Sequence, residues 1–183
     1  MLIAQQKLKE NIAEYILYMY QIEDLIRAYQ FDLERIMKEV VEPNLPDRVY
    51  LERYRAWYSG LIHDMKSERI TESGHRLELQ DVLVELSYLH NSLLTVVNDE
   101  KYRTLYTTAL PYIEDFIEHS NLKGMNHLEV CFHAMYMKLL LKLQKKEISQ
   151  ETEEAFDSMR ILLAYLTRSY HQMKGGEGQY WNN

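Results

Sequence analysis

A chain of 183 residues with 28 acidic against 21 basic groups, a formal charge of −7, presents no net cationic surface for nucleic-acid phosphates or anionic lipid. Its one cysteine, Cys131, excludes an intrachain disulfide and any multi-cysteine metal site. With 46% hydrophobic residues but only 6 glycines and 3 prolines, the composition predicts one soluble domain of the all-α class. Residues 1–10 (MLIAQQKLKE) hold no apolar run of about 7–15 residues, so no signal peptide is expected. No apolar run approaches the roughly 20 residues of a membrane span. A cytoplasmic protein is expected.

The first helix is predicted to start around Gln5 to Lys9 and to reach Ala28 or Tyr29. Ile12, Tyr15, Ile16, Met19, Tyr20, Ile22 and Ile26 follow helical spacing, and Leu17 and Leu25 widen the buried face. Positions 15–20 are apolar or aromatic on every side, which marks the hub of a bundle. Asp32 can cap a short second helix, with Phe31 stapled onto Ile36 and with Leu33, Ile36, Met37 and Val40 inward, ended by Pro43 and Pro46. Asp47 opens a third helix whose stripe is Tyr50, Tyr54, Trp57, Tyr58, Leu61 and Met65, stopped by Ser73-Gly74. Gly60 within it suggests a neighbouring backbone packed close. A fourth helix over about 76–97 turns Leu79, Val82, Leu83, Leu86, Leu89, Leu93 and Val97 inward.

Asn98-Asp99 is a turn and a cap for the fifth helix. There Pro111 removes one backbone hydrogen bond and clashes near Thr107, so a kink or a break is expected. After the loop 120–125, Asn126 and Glu129 form a capping box for the sixth helix. Leu128, Cys131, Phe132, Met135, Leu139 and Leu143 face inward, and Lys142, Lys145 and Lys146 match the helix dipole at its end. Ser149 caps the seventh helix, where Phe156, Met159, Leu163, Leu166, Tyr170 and Met173 repeat as a coiled-coil-like seam. Gly175-Gly176 is expected to end it. The predicted architecture is a single antiparallel bundle of six to seven helices over residues 1–174, one of them kinked at Pro111, with a flexible tail over 175–183.

The strongest polar candidates for a ligand site are Glu23, Asp24 and Arg27, directly behind the aromatic collar. Glu23 and Arg27 stand four apart in the order that favours an intrahelical ion pair. Asp24 lies about 100° round the helix and needs a partner from elsewhere, a tyrosine hydroxyl or an arginine. A register-fixing salt bridge and a pocket wall for a polar ligand are both consistent with this pattern. His90, inside the apolar stripe of the fourth helix, is the fourth candidate, and its bland reading is a neutral core histidine. The 15 tyrosines should lie at the core boundary with hydroxyls on polar groups, or else line a ligand pocket.

Catalytic motifs are missing. His63-Asp64 lacks the upstream histidine that metal phosphohydrolases of the His-Asp type require. Asp115/His119 and Glu129/His133 share faces at i,i+4, but a metal site needs three or four convergent ligands. Cys131 with His127 one turn earlier would need an exposed thiolate to act as a nucleophile. There is no Gly-x-Ser-x-Gly elbow, phosphate loop or Gly-x-Gly-x-x-Gly. The arginines and aromatics of the third helix suggest RNA stacking only until charges are counted: over 47–72, five basic residues meet five acidic ones.

The stretch 12–29, IAEYILYMYQIEDLIRAY, resembles the opening signature of an uncharacterised all-helical family of about this length found in Bacteroidetes. The resemblance implies a bacterial cytoplasmic protein and brings no activity, cofactor or catalytic residue with it. The sequence therefore favours a non-enzymatic helical module that works through protein contacts, as a homodimer or with another protein, without nucleic acid, membrane, metal or cofactor. A small-molecule-binding bundle with a tyrosine-rich pocket near the first helix is the alternative. A metal-dependent enzyme comes third.

Overall fold

The computed structural model describes residues 2–45 and 47–180, and every regular element among them is helical. In chain order these are α1 (Ile3–Glu10), α2 (Ile12–Ala28), α3 (Leu33–Ile36), α4 (Glu42–Asn44), α5 (Leu51–Ser67), α6 (Leu77–Thr95), α7 (Glu100–Glu118), α8 (His127–Leu143) and α9 (Gln150–Tyr180). A π-helical turn, Met37–Val41, joins α3 to α4, and a 3₁₀ turn, Arg48–Tyr50, leads into α5. None of the helices is long and apolar enough to cross a membrane.

Helix α2 is the hub that its composition suggests. Ile12, Ile16 and Ile26 are fully buried, Met19 and Tyr20 nearly so, and one hydrophobic cluster links them to side chains from the other long helices. Burying each such side chain is worth about 1.5–3 kcal/mol. The expected single first helix is divided, however. Asn11 adopts an extended backbone (φ −155°, ψ 101°) and its side chain accepts from the N–H groups of Ala13 and Glu14, so a new helix starts there.

The second expected helix also differs. Five-residue hydrogen bonding in the π turn, from the Glu42 N–H to the Met37 carbonyl, adds a residue to the turn and shifts its register. Val41 is buried in place of the expected Val40, beside Ile36 and Met37. Pro43 falls in the first turn of α4, where a missing N–H costs nothing, rather than stopping the helix; Pro46 lies outside the described residues.

Asp32, Asp47, Asp99, Asn126 and Ser149 all accept from backbone N–H groups at the helix starts assigned to them, and Asn126–Glu129 closes a capping box. Helix ends were harder to place. α5 stops at Ser67 instead of Ser73-Gly74, because Arg69 turns left-handed (φ 59°) and the Ile70 N–H reaches back to the Met65 carbonyl. Gly60 does not receive a close backbone: nothing lies within 4 Å of where its Cβ would stand. Val97 and Leu143, expected inward, are 61% and 67% exposed beyond the ends of the packed faces.

α7 is not broken in two. Pro111 stands on its exposed side, where water can reach the carbonyl that the missing N–H leaves free. α9 continues past Gly175-Gly176 to Tyr180, since glycine weakens a helix by about 1 kcal/mol yet keeps the N–H that proline lacks. Residues 181–183 of the expected tail lie outside the described residues. The α9 seam is spent within the chain: Phe156, Met159, Leu163, Leu166 and Tyr170 are buried against the other helices, and only Met173 is exposed.

Candidate functional site

Glu23 is fully buried, and its partners come from the loop 68–76 rather than from its own helix. Its carboxylate meets His75 Nδ1 at 2.7 Å and accepts from the Arg76 backbone N–H at 3.3 Å. The Arg76 guanidinium lies 3.4 Å away at Nε and reaches on to Asp64 (3.2 Å) and Glu78 (3.0 Å). Burial opposes a charge on Arg76, but Glu78 and Glu23 outweigh it and hold the group firmly protonated. Arg76 Nε is the one buried side-chain nitrogen or oxygen among the described residues without a hydrogen bond.

The expected Glu23–Arg27 ion pair does not form. Arg27 instead pairs with Asp24 (2.8 Å, i,i+3) and donates to the carbonyls of Ile70 and Gly74, tying α2 to the same loop. Asp24 does find a tyrosine: the Tyr136 hydroxyl donates to its Oδ2 at 2.6 Å. Around this junction His75 stacks on Tyr20 with ring centres 3.6 Å apart and planes 8° from parallel, and His133 stands 5.9 Å from His75. Burial and the neighbouring His75 push the His133 pKa down. His75 and Arg76 are the components that sequence reasoning missed.

His90 belongs to a different junction, and no hydrogen bond, ion pair or ring contact among the described residues joins it to the first. Its Nδ1 shares a 2.7 Å hydrogen bond with the Tyr102 hydroxyl, and Tyr106 packs edge-on at 4.9 Å. Tyr106 in turn shares a 2.7 Å bond with His127 Nδ1. Burial, helped by His127, lowers the His90 pKa to about 4, so the ring is neutral. Cys131 lies fully buried beside these rings and burial raises its thiol to about 12, which makes it a poor nucleophile.

Tyrosine hydroxyls fasten several helices to their neighbours. Besides Tyr136–Asp24, Tyr15 donates to Glu78, Tyr165 to Asp99 and Tyr170 to Glu85. The rings sit at the core boundary, and burial first, then the carboxylate, raises the Tyr15 and Tyr136 pKa values. The groove beside α1 and Arg76, about 480 Å³, is open to solvent and contains one tyrosine, Tyr15, already engaged by Glu78.

A larger groove, about 990 Å³, runs where α2, α8 and α9 meet. Leu17, Met135, Leu139, Leu163 and Ala164 form an apolar floor, and Lys138, Lys142, Arg160 and Arg168 stand on the α8 and α9 side. Glu10 and Glu14 mark the α2 side. At one end the Ile12 N–H, freed at the start of α2, donates to His171 Nε2 at 3.0 Å. The Thr167 hydroxyl, in the floor, has no partner among the described residues. The groove is open rather than enclosed, and none of the four sequence candidates lines it. Among the described residues no three His, Cys, Asp or Glu side chains converge on a metal-sized site.

No curated protein and no solved structure matches the chain. A family model does, over residues 1–177: the chain belongs to the family described as a domain of unknown function, DUF4924.

Proposed function

We propose that this chain is a non-enzymatic helical module, cytoplasmic and bacterial, that acts by binding another protein in the groove between α2, α8 and α9. The observation that carries this reading is the groove itself, about 990 Å³ with an apolar floor and a charged rim, open to solvent. Small-molecule sites commonly cover about 70–90% of the ligand, whereas an amphipathic helix needs one apolar face covered and leaves the other wet. An open groove suits the second case. The buried polar groups support the same reading, because the Cys131 thiol and the Tyr15 and Tyr136 hydroxyls are shifted away from reactivity.

The candidates Glu23, Asp24, Arg27 and His90 are proposed to be structural, each engaged by protein partners. An enzyme or a tyrosine-lined ligand pocket finds less support in this arrangement.

The test uses a fluorescein-labelled, hydrocarbon-stapled amphipathic helix with leucines on one face and glutamates on its flanks. Saturable binding by anisotropy is expected, weakened by about tenfold or more in Ala164→Arg, which fills the exposed floor. Equal binding by that variant, or no binding by the wild type, would remove the groove as the recognition surface.

A further inference from the structure

The groove has a counterpart on the same molecule. On α6, Leu77, Val84 and Tyr88 are 58%, 52% and 72% exposed. Spaced 7 and 4 residues apart, they fall within about 20° of a single line along the helix and form an apolar ridge. Apolar ridges of this kind mark contact surfaces. The ridge is also acidic: α6 carries Glu78, Asp81 and Glu85 and no lysine or arginine. Glu78 and Glu85 already serve tyrosines of their own chain, whereas Asp81 has no ion pair or hydrogen bond among the described residues.

Charge in the groove runs the other way. On a chain of net charge −7 it gathers four cations against three carboxylates. Glu14 is neutralised by Lys7, and Asp157 lies between Lys138 and Arg160, while Lys142 and Arg168 form no ion pair among the described residues. Lengths match as well. The ridge from Leu77 to Tyr88 is about 17 Å long, and the α9 wall from Asp157 to Gln172 about 22 Å, both at 1.5 Å per residue.

Building on the groove as the recognition surface, we infer that its occupant is the α6 ridge of a second copy of this chain. Tyr88, Val84 and Leu77 lie on the apolar floor, and Asp81 turns toward Lys142 and Arg168. If both grooves are filled reciprocally the pair closes as a two-fold, isologous dimer; if only one is filled, the contact is heterologous and propagates.

The experiment is sedimentation equilibrium on the whole chain across a concentration series, at low and high salt. Wild type is expected to self-associate, less so at high salt because exposed charges are screened. Tyr88→Glu and Ala164→Arg should each be monomeric, and an equimolar mixture of the two should form a one-to-one complex, since one retains the groove and the other the ridge. Should either variant fail to fold by circular dichroism, Val84→Lys replaces the first and the pair Lys142→Glu with Arg168→Glu the second. A wild type that is monomeric at every concentration overturns the inference. So does a single variant that associates normally, or a mixture that stays monomeric. If the stapled helix still binds the groove in those cases, the groove reading stands with another protein as its occupant, and a groove empty of both fails with it.

Discussion

The two polar junctions inside this bundle are built on opposite principles. At the α2 junction, ions do the joining: Glu23, Arg76, Asp64 and Glu78 gather around a loop, with His75 stacked on Tyr20. At the α6–α7 junction no carboxylate, guanidinium or ammonium takes part: His90, Tyr102, Tyr106 and His127 are linked by hydroxyl-to-imidazole bonds next to a buried thiol. A buried ion pair holds only while both members stay, because removing one strands the other's charge. A neutral pair depends instead on the protonation state of the ring. The first junction should therefore be sensitive to mutation, and the second to pH.

The largest effect should come from Glu23→Ala. It strips Arg76, whose side chain is 5% exposed, of its buried counter-ion and leaves His75 and the Arg76 N–H without an acceptor. A loss of about 3–5 kcal/mol is expected, read as a lower urea midpoint at unchanged slope. Glu23→Gln, which still accepts hydrogen bonds, should lose less. Equal losses would mean that the carboxylate charge itself, not packing or hydrogen-bond acceptance, holds this junction.

Acid should act on the other junction. The folded His90 pKa lies near 4, below the usual value of 6.5, so the unfolded chain binds the extra proton first. The neutral ring's contribution is thus fully present above about pH 6.5 and is lost as pH falls toward 4, an upper bound on the order of 3 kcal/mol. His133, lowered by burial and by His75, adds an acid response at the α2 junction too. His90→Phe should be destabilised at pH 7, because the buried Tyr102 hydroxyl loses its partner, and should show a shallower decline of melting temperature between pH 7 and 5. An unchanged slope in that variant would assign the acid response to other groups.

The smallest effect is expected at the exposed margin of the α2 junction. Tyr136→Phe removes one hydrogen bond to Asp24, itself about half exposed, so water can take the hydroxyl's place. The expected change is about 0.5–1 kcal/mol or less in the urea midpoint. A loss as large as that of Glu23→Ala would show that Asp24 is a buried member of the network in solution.

Local chemistry made much of this fold legible. Asp32, Asp47, Asp99, Asn126 and Ser149 could be assigned as caps because a cap's donors lie within three residues. That Asp24 needs a partner from elsewhere, a tyrosine hydroxyl or an arginine, followed from the direction in which it points, and Tyr136 is the one that meets it. Asn11 was hidden although Glu14 stands three residues on, because apolar spacing continues on both sides of the break. The end of α5 was hidden for another reason: its left-handed residue is Arg69, not the glycine that usually marks such a turn. The partners of Glu23 could not be read locally at all, since His75 and Arg76 arrive from a loop some fifty residues later. Spacing suggested Arg27, and tertiary structure gave Arg27 to Asp24. The groove left no motif because α2 joins α8 and α9 there from the other end of the chain.

The tyrosine fastenings make alkali a solvent for this architecture. Four hydroxyls, on Tyr15, Tyr136, Tyr165 and Tyr170, each face a carboxylate across a helix boundary. A phenolate opposite a carboxylate turns a clasp into a repulsion, which raises the Tyr165 pKa through Asp99 and adds to the burial that chiefly raises those of Tyr15 and Tyr136. Their stabilisation is fully present below about pH 10 and is lost above it. Phenolate formation and helix separation thus become one cooperative event, in which the same protons that leave the rings release the bundle.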